Sequence, residues 1–369
     1  MRKLFILLLL LLSGCAHLQP KGHIEIIRFD RMPLVATTSA GQNISLGGLS
    51  SLSFVKTEGG KHYFEAVTDR GPNAEDYTYV DIVQKNARQF LLPEFAPLLV
   101  NFRVDPVAKS VEILSYRGFH NSDGSAMTGL PPVDAPDTEV AFDLANKKLI
   151  YKKAGMDAEG FCRIGEKLVV SEEYGPDLLV FNKEMKLEKR YGPQNALPTA
   201  FARRKINRGL EGLACDGKSA FVMLQSPLPH EKKLVRMIRF SIENGVTEKA
   251  YLYPVDLAEK IGDLTWVKEQ KFLVLEQDGV LGPKGLRKIF EIDLSLADET
   301  GLLQKREVAD LTALGFDFVE KVEGLALIDE KTLAFISDND FGIELRPDEA
   351  GRVPEKKDPF TYMAIIRLP

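Results

Sequence analysis

The chain has 369 residues, 44% hydrophobic and 27% charged, the balance of a folded globular protein rather than a disordered one. Its net charge of −5 argues against a nucleic-acid-binding surface. With five histidines, none at metal-ligand spacing from another, and three cysteines, a zinc site is not expected.

Residues 1–14 have the plan of an export leader. Arg2 and Lys3 form a positive start, and residues 4–12 are an apolar run too short to cross a bilayer as a mature helix. Residues 12–15 read Leu-Ser-Gly-Cys, which resembles the lipobox of bacterial lipoproteins. In that class the leader is cut before the cysteine and the thiol carries a diacylglycerol. The resemblance implies a lipid on Cys15 that holds the protein to a membrane, with residues 15–22 as linker and 23–369 as one soluble domain. The expected location is the bacterial cell envelope. Because Ala16 rather than Asp follows the cysteine, the outer membrane is expected, facing periplasm or exterior. Of the other cysteines, Cys162 lies two residues after Gly160 and Cys215 three after Gly212. An exported protein can form a disulfide, but this one-residue offset sends the side chains to opposite faces of neighbouring strands. Two buried free thiols are expected.

Beyond the leader, a glycine beside a carboxylate or a second glycine opens a short apolar run five times: at Gly47-Gly48, Glu159-Gly160, Glu211-Gly212, Gly262-Asp263 and Glu323-Gly324. Each is followed by a β-rich run ending in polar groups: residues 66–72 (AVTDRGP), 169–176 (VVSEEYGP), 222–228 (VMLQSPL), 273–279 (LVLEQDG) and 335–342 (FISDNDFG). From Gly160 onward the steps are 52, 50 and 62 residues, whereas Gly48 to Gly160 is 112, room for one worn unit around residues 102–119 and 138–151. Short β-branched and aromatic runs at this period predict an all-β β-propeller, with six blades, or seven as the alternative. Residues 76–99 and 194–206 read as insertions over one face, and 346–358 as a solvated loop before a last strand at 362–368. That strand is expected to pair with residues 23–29 and close the ring.

In a propeller the inner strand of every blade lines a central channel, so Glu159, Glu211, Asp263 and Glu323 should converge at one mouth. Crowded carboxylates repel one another and call for a neutralising cation; an all-oxygen set suits Ca²⁺ or Mg²⁺. An acid at a fixed blade position can equally cap a turn or bind backbone amides of the next blade. The strand ends vary from blade to blade (Asp69-Arg70, Glu172-Glu173, Gln225-Ser226, Glu276-Gln277, Asp338-Asn339), as a binding site on a symmetric frame would. The candidate catalytic set is Asp69, Arg70, Glu159, Arg208 and Glu211. Glu172, Asp263, Glu276, Glu323 and Asp338 are candidate ligands for Ca²⁺. No nucleophile elbow, P-loop or dinucleotide fingerprint is present, and nothing positions His230 to activate Ser226.

Residues 47–54, 64–73, 157–181, 206–228, 261–278 and 321–342 together resemble the family called esterase-like activity of phytase. The resemblance implies a β-propeller and hydrolysis of phosphate or carboxylic esters, with a small anionic ester as substrate. No catalytic assignment carries over from it. A non-catalytic propeller that binds a ligand or protein through the same mouth is the alternative.

Overall fold

The computed structural model describes residues 24–75, 87–132, 138–150, 155–255, 260–344 and 353–368. The leader, Cys15 and parts of the segments 76–99 and 346–358 lie outside the described residues. Strands β1 (Ile24–Arg28), β2 (Leu34–Thr37) and β3 (Asn43–Ser45) lead to β4 (Ser53–Glu58) and β5 (Lys61–Val67). An excursion carries β6 (Asn73–Glu75) and β7 (Ala87–Phe90) before β8 (Leu98–Asp105), β9 (Ser110–Gly118) and the short β10 (Val140–Phe142). One group of four follows as β11 (Ala158–Ile164), β12 (Lys167–Glu172), β13 (Asp177–Phe181) and β14 (Leu187–Tyr191). The next is β15 (Leu210–Cys215), β16 (Ser219–Leu224), β17 (Leu234–Ser241) and β18 (Val246–Pro254). Another is β19 (Lys260–Lys268), β20 (Lys271–Gln277), β21 (Arg287–Asp293) and β22 (Lys305–Asp310). The chain ends with β23 (Lys321–Asp329), β24 (Thr332–Asp338) and β25 (Tyr362–Arg367).

The fold is an all-β β-propeller. Antiparallel sheets run β4-β5-β8-β9, β11 to β14, β15 to β18, β19 to β22, and β23-β24-β25-β1. In the last, β1 from the N-terminal side pairs with β25 from Ile24↔Ile366 to Arg28↔Tyr362. Middle strands such as β13 and β16 are buried at every position because sheets cover both their faces. They therefore read as continuous apolar runs, while the outer β9 alternates toward solvent.

The described residues thus form five four-stranded sheets, not six. The long gap between Gly48 and Gly160 holds an enlarged first blade rather than a worn extra one. Residues 102–119 fall in its outer strands β8 and β9, while β10 joins β7 and β6 in a small three-stranded sheet beside it.

Four of the repeated glycines mark where an inner strand presses on the next blade. A Cβ at Gly160 would lie 2.5 Å from the Glu211 carbonyl oxygen, and at Gly212 2.7 Å from the Leu264 nitrogen. A Cβ at Gly262 would lie 2.4 Å from the Val322 carbonyl, and at Gly324 3.0 Å from the Leu52 nitrogen. No larger residue allows these backbones to approach so closely. The same contact brings Cys162 of β11 and Cys215 of β15 together, with Cα atoms 5.7 Å apart, and they form a disulfide. The expectation of free thiols is corrected. Parity of facing holds along the ladder of one sheet, but these strands belong to two different sheets packed side by side.

Candidate functional site

A cavity of about 470 Å³ opens at the end of the ring where β5, β12, β16 and β24 finish. It is lined almost wholly by polar and charged groups; Ala87 and Ile206 are its apolar members. All five blades contribute first-strand or strand-end groups, among them Asp69, Glu159, Glu173, Gln225, Lys260, Glu323 and Asp338. The insertions add Arg88 from β7, and residues 205–208 from the connection before β15.

Arg70 organises one side. Its Nη1 lies 2.5 Å from Glu139 Oε2, 3.0 Å from Asp157 Oδ2 and 2.9 Å from Asn207 Oδ1, and its backbone N–H donates to Asp157 Oδ1 at 3.1 Å. Arg88 closes the other oxygen of Glu139 at 2.7 Å. Bracing by several acceptors fixes the guanidinium, a charge-assisted arrangement that costs little reorganisation when an anion arrives.

Beside it, Asp157, Glu159 and Glu173 each place one carboxylate oxygen within 4.8 Å of the others, and all three are buried. Among the described residues no lysine or arginine pairs with Glu159 or Glu173. Burial, followed by the charge of Asp157, pushes Glu173 up to about 7. Burial with Asp157 and Glu211 raises Glu159 well above the usual carboxylate range. Asp69 is likewise raised, by burial and then by Asp338 and Asp157. Glu211 lies beneath the cavity, fully buried. Its Oε2 accepts from Gln225 Nε2 at 2.8 Å, while Oε1 has no hydrogen-bond partner. Burial, then Glu323 and Glu173, holds its acid well above normal.

The far side carries a chain of alternating charge. Lys321 Nζ reaches Asp338 at 3.1 Å and Asp340 at 2.5 Å, and Lys356 reaches the other oxygen of Asp340 at 2.6 Å. Burial disfavours the charge on Asp340, yet the two lysines hold it below the ordinary carboxylate range. Burial pushes Glu323 up to about 7 in spite of Lys321. Asp340 and the next residue, Phe341, both take left-handed backbone angles (φ 48° and 56°), strain of a kind that gathers at working sites. Phe341 fits because Gly48, itself at φ 64°, leaves room for its ring. Lys205, Arg208 and Lys260 also line the cavity, and among the described residues none has a carboxylate within 4 Å.

A family model described as phytase-like, esterase-like activity of phytase, matches residues 44–341. The chain belongs to this family. A search of curated protein sequences finds no match for this phytase-like chain. Among solved structures it is similar to an α-L-arabinofuranosidase from Clostridium thermocellum, at 12% identity and a TM-score of 0.42 over 84% of this chain and 94% of the other. A β-1,3-galactosidase with bound galactodeoxynojirimycin gives 10% identity and 0.42 over 90% and 99%. A putative 6-phosphogluconolactonase from Bacteroides fragilis gives 9% and 0.33 over 91% and 94%. At these scores the likenesses carry no argument about activity.

Of the residues singled out from the phytase-like sequence, Asp69, Arg70, Glu159, Arg208, Glu323 and Asp338 meet at the cavity, with Glu211 under its floor. The other three lie away from it. Asp263 accepts from the backbone of Leu264 and, across the blade boundary, of Leu325, both at 2.7 Å. Glu172 caps its turn through the amides of Tyr174 and Gly175 and pairs with Arg190. Glu276 turns outward to Lys305, at 2.5 Å, and Tyr253. Their carboxylates are already spent on backbone amides and fixed partners, which leaves no place for them in a shared metal site. Asp157, Glu139, Arg88, Lys260 and Lys321 were missed. Asp157 and Lys321 sit two residues before the repeated acids Glu159 and Glu323, and that spacing along a strand was the available signal.

Proposed function

We propose that this protein hydrolyses esters, phosphate esters in preference to carboxylic ones, at the polar mouth of the propeller with the help of a divalent cation. The observation that carries the reading is the buried trio Asp157, Glu159 and Glu173 beside the braced Arg70. Three buried carboxylates with a single arginine contact among them are under-neutralised, and their all-oxygen donor set fits Ca²⁺ or Mg²⁺ rather than zinc. When bound, such a cation supplies Lewis-acid polarisation of the ester and stabilises developing negative charge. Arg70 orients the anionic group, and Arg208, Lys205 and Lys260, which line the same cavity, neutralise it. Burial raises Glu173 to about 7 while the trio is empty, so loading the trio with a cation displaces a proton from it. The shortage of apolar wall disfavours a long acyl chain, and the unpaired cations favour phosphate.

Purified protein should hydrolyse 4-nitrophenyl phosphate faster than 4-nitrophenyl acetate, lose activity in EDTA, and regain it with Ca²⁺. An EDTA-insensitive rate, unchanged in Asp157→Asn, would sink the cation. No turnover of either ester would sink the hydrolase reading and leave a ligand-binding propeller.

We also propose that the protein is anchored in the bacterial envelope through lipid on Cys15. Ile24 pairs with Ile366, which pairs with Leu333 at the start of β24, whereas Asp338 at the cavity ends that strand. At roughly 3.3 Å per residue the two ends are about 17 Å apart. The chain thus leaves toward Cys15 from the face opposite the cavity, so the mouth would point away from the membrane. Metabolic labelling with an alkynyl fatty acid should tag the wild-type protein and not Cys15→Ser; equal labelling refutes the anchor.

A further inference from the structure

A second hollow, of about 660 Å³, adjoins the cavity. Glu320 and Asp338 line both, and Lys356, which lines the hollow, bonds Asp340 in the cavity wall. Its character differs from that of the cavity: Phe318, Leu281, Phe360 and Tyr362 stand in its walls among charged groups such as Lys357 and Asp358. Phe318 is 41% exposed and Leu281 58%, and the two share one hollow with Phe360 and Tyr362. The ring of Phe318 is also held. It meets Phe316 edge-to-face at 5.3 Å and Tyr362 at 4.9 Å, and Phe316 in turn packs on Phe335 of the core strand β24. Arg28 stacks over Phe360 at 4.4 Å. Fixed aromatic rings offer planar contact area at little entropic cost.

We infer that this hollow is the leaving-group subsite, and that the substrate is an ester of an aromatic or other flat ring alcohol, the ring lying on Phe318 while the anionic group enters the cavity. The inference rests on the hydrolase reading for the cavity and adds to it the class of alcohol released. The wall shared through Asp338 and Glu320 is what singles out this occupant: a substrate held by its anionic end among the cavity's cations has its remainder beside that wall. On cleavage the bond between phosphorus and the alcohol oxygen breaks, water supplies the new oxygen on phosphorus, and its proton leaves with the ring alcohol.

The test compares 1-naphthyl phosphate with methyl phosphate in the wild type, Phe318→Ala, Phe318→Tyr and Leu281→Ala. Phe318→Ala should raise KM for the naphthyl ester about tenfold, the worth of one lost aromatic contact, with kcat unchanged. For methyl phosphate KM should move less than twofold. Phe318→Tyr should restore the naphthyl KM, and Leu281→Ala should shift it in the same direction as Phe318→Ala. Equal effects on both esters, or none on either, overturn the subsite while the hydrolase reading stands. If neither ester is turned over, the hydrolase reading fails, and quenching of 1-naphthyl phosphate fluorescence reads binding directly. Tenfold weaker binding by Phe318→Ala then upholds the ring site, and unchanged binding overturns it.

Discussion

Replacing Glu173 by glutamine should make the cation-free protein more stable at alkaline pH, although it removes a group placed here at the centre of the site. Burial and the neighbouring Asp157 raise this acid from 4.5 to about 7. In that interval the folded state binds a proton that the unfolded state has released, so stability falls as pH rises from about 4.5 and levels off above about 7. A shift of that size corresponds to about 3 kcal/mol. At pH 5 the glutamine should therefore be close to neutral, and at pH 8 in EDTA it should stabilise by up to about 3 kcal/mol. With an unfolding entropy of about 2.1 cal/mol/K per residue, the gain at pH 8 is about 4 °C in Tm. Thermal unfolding of both proteins in EDTA at the two pH values measures it. Adding Ca²⁺ should then reverse the order, since a cation at a hundred times its Kd stabilises the wild type by about 2.7 kcal/mol and the variant by less. A variant that is equally or less stable than the wild type at pH 8, or that gains the same at both pH values, refutes the view of Glu173 as a strained acid awaiting a cation.

Reduction of the Cys162–Cys215 bridge, which closes a loop with a sequence separation of 53, should cost about 4 kcal/mol by loop entropy; a denaturant midpoint unaffected by reductant would contradict it. Arg70→Ala strips Asp157 of its cation inside the protein and should destabilise by roughly 3–5 kcal/mol while abolishing ester hydrolysis. Circular dichroism and a 4-nitrophenyl phosphate assay check the two effects separately. Gly160→Ala drives a methyl group against the Glu211 carbonyl and should cost at least about 1–3 kcal/mol, although alanine suits a strand better than glycine. An unchanged melting temperature would show that the blades can shift apart.

Much of the fold could be read from the sequence because its strongest constraint is local. A glycine is required where four of the inner strands touch the next blade, and the recurrence at Gly160, Gly212, Gly262 and Gly324 follows that contact directly. Blade number was not local. A gap of two periods is equally consistent with a worn unit and with a long insertion, and only the pairing of β5 with β8 decides for the insertion. The site divides in the same way. Asp69-Arg70, Glu159 and Asp338 stand at strand ends that a propeller must bring to one mouth. Glu172 stands at such a strand end too, and Asp263 follows its glycine instead of preceding it; backbone amides of Gly175 and Leu325 lie within their reach.

Periodicity by itself determined the class of fold, the closing of the ring by its two ends, and the end of the ring where acids would gather, since each follows from spacing along one chain. Tertiary structure decided which of those acids remain under-neutralised, because that depends on what each carboxylate meets from another blade or insertion. Arg70 is braced by Glu139, 69 residues away, and by Asp157, 87 residues away. The disulfide was decided there too, since Cys162 and Cys215 meet across two sheets that share no hydrogen-bond ladder.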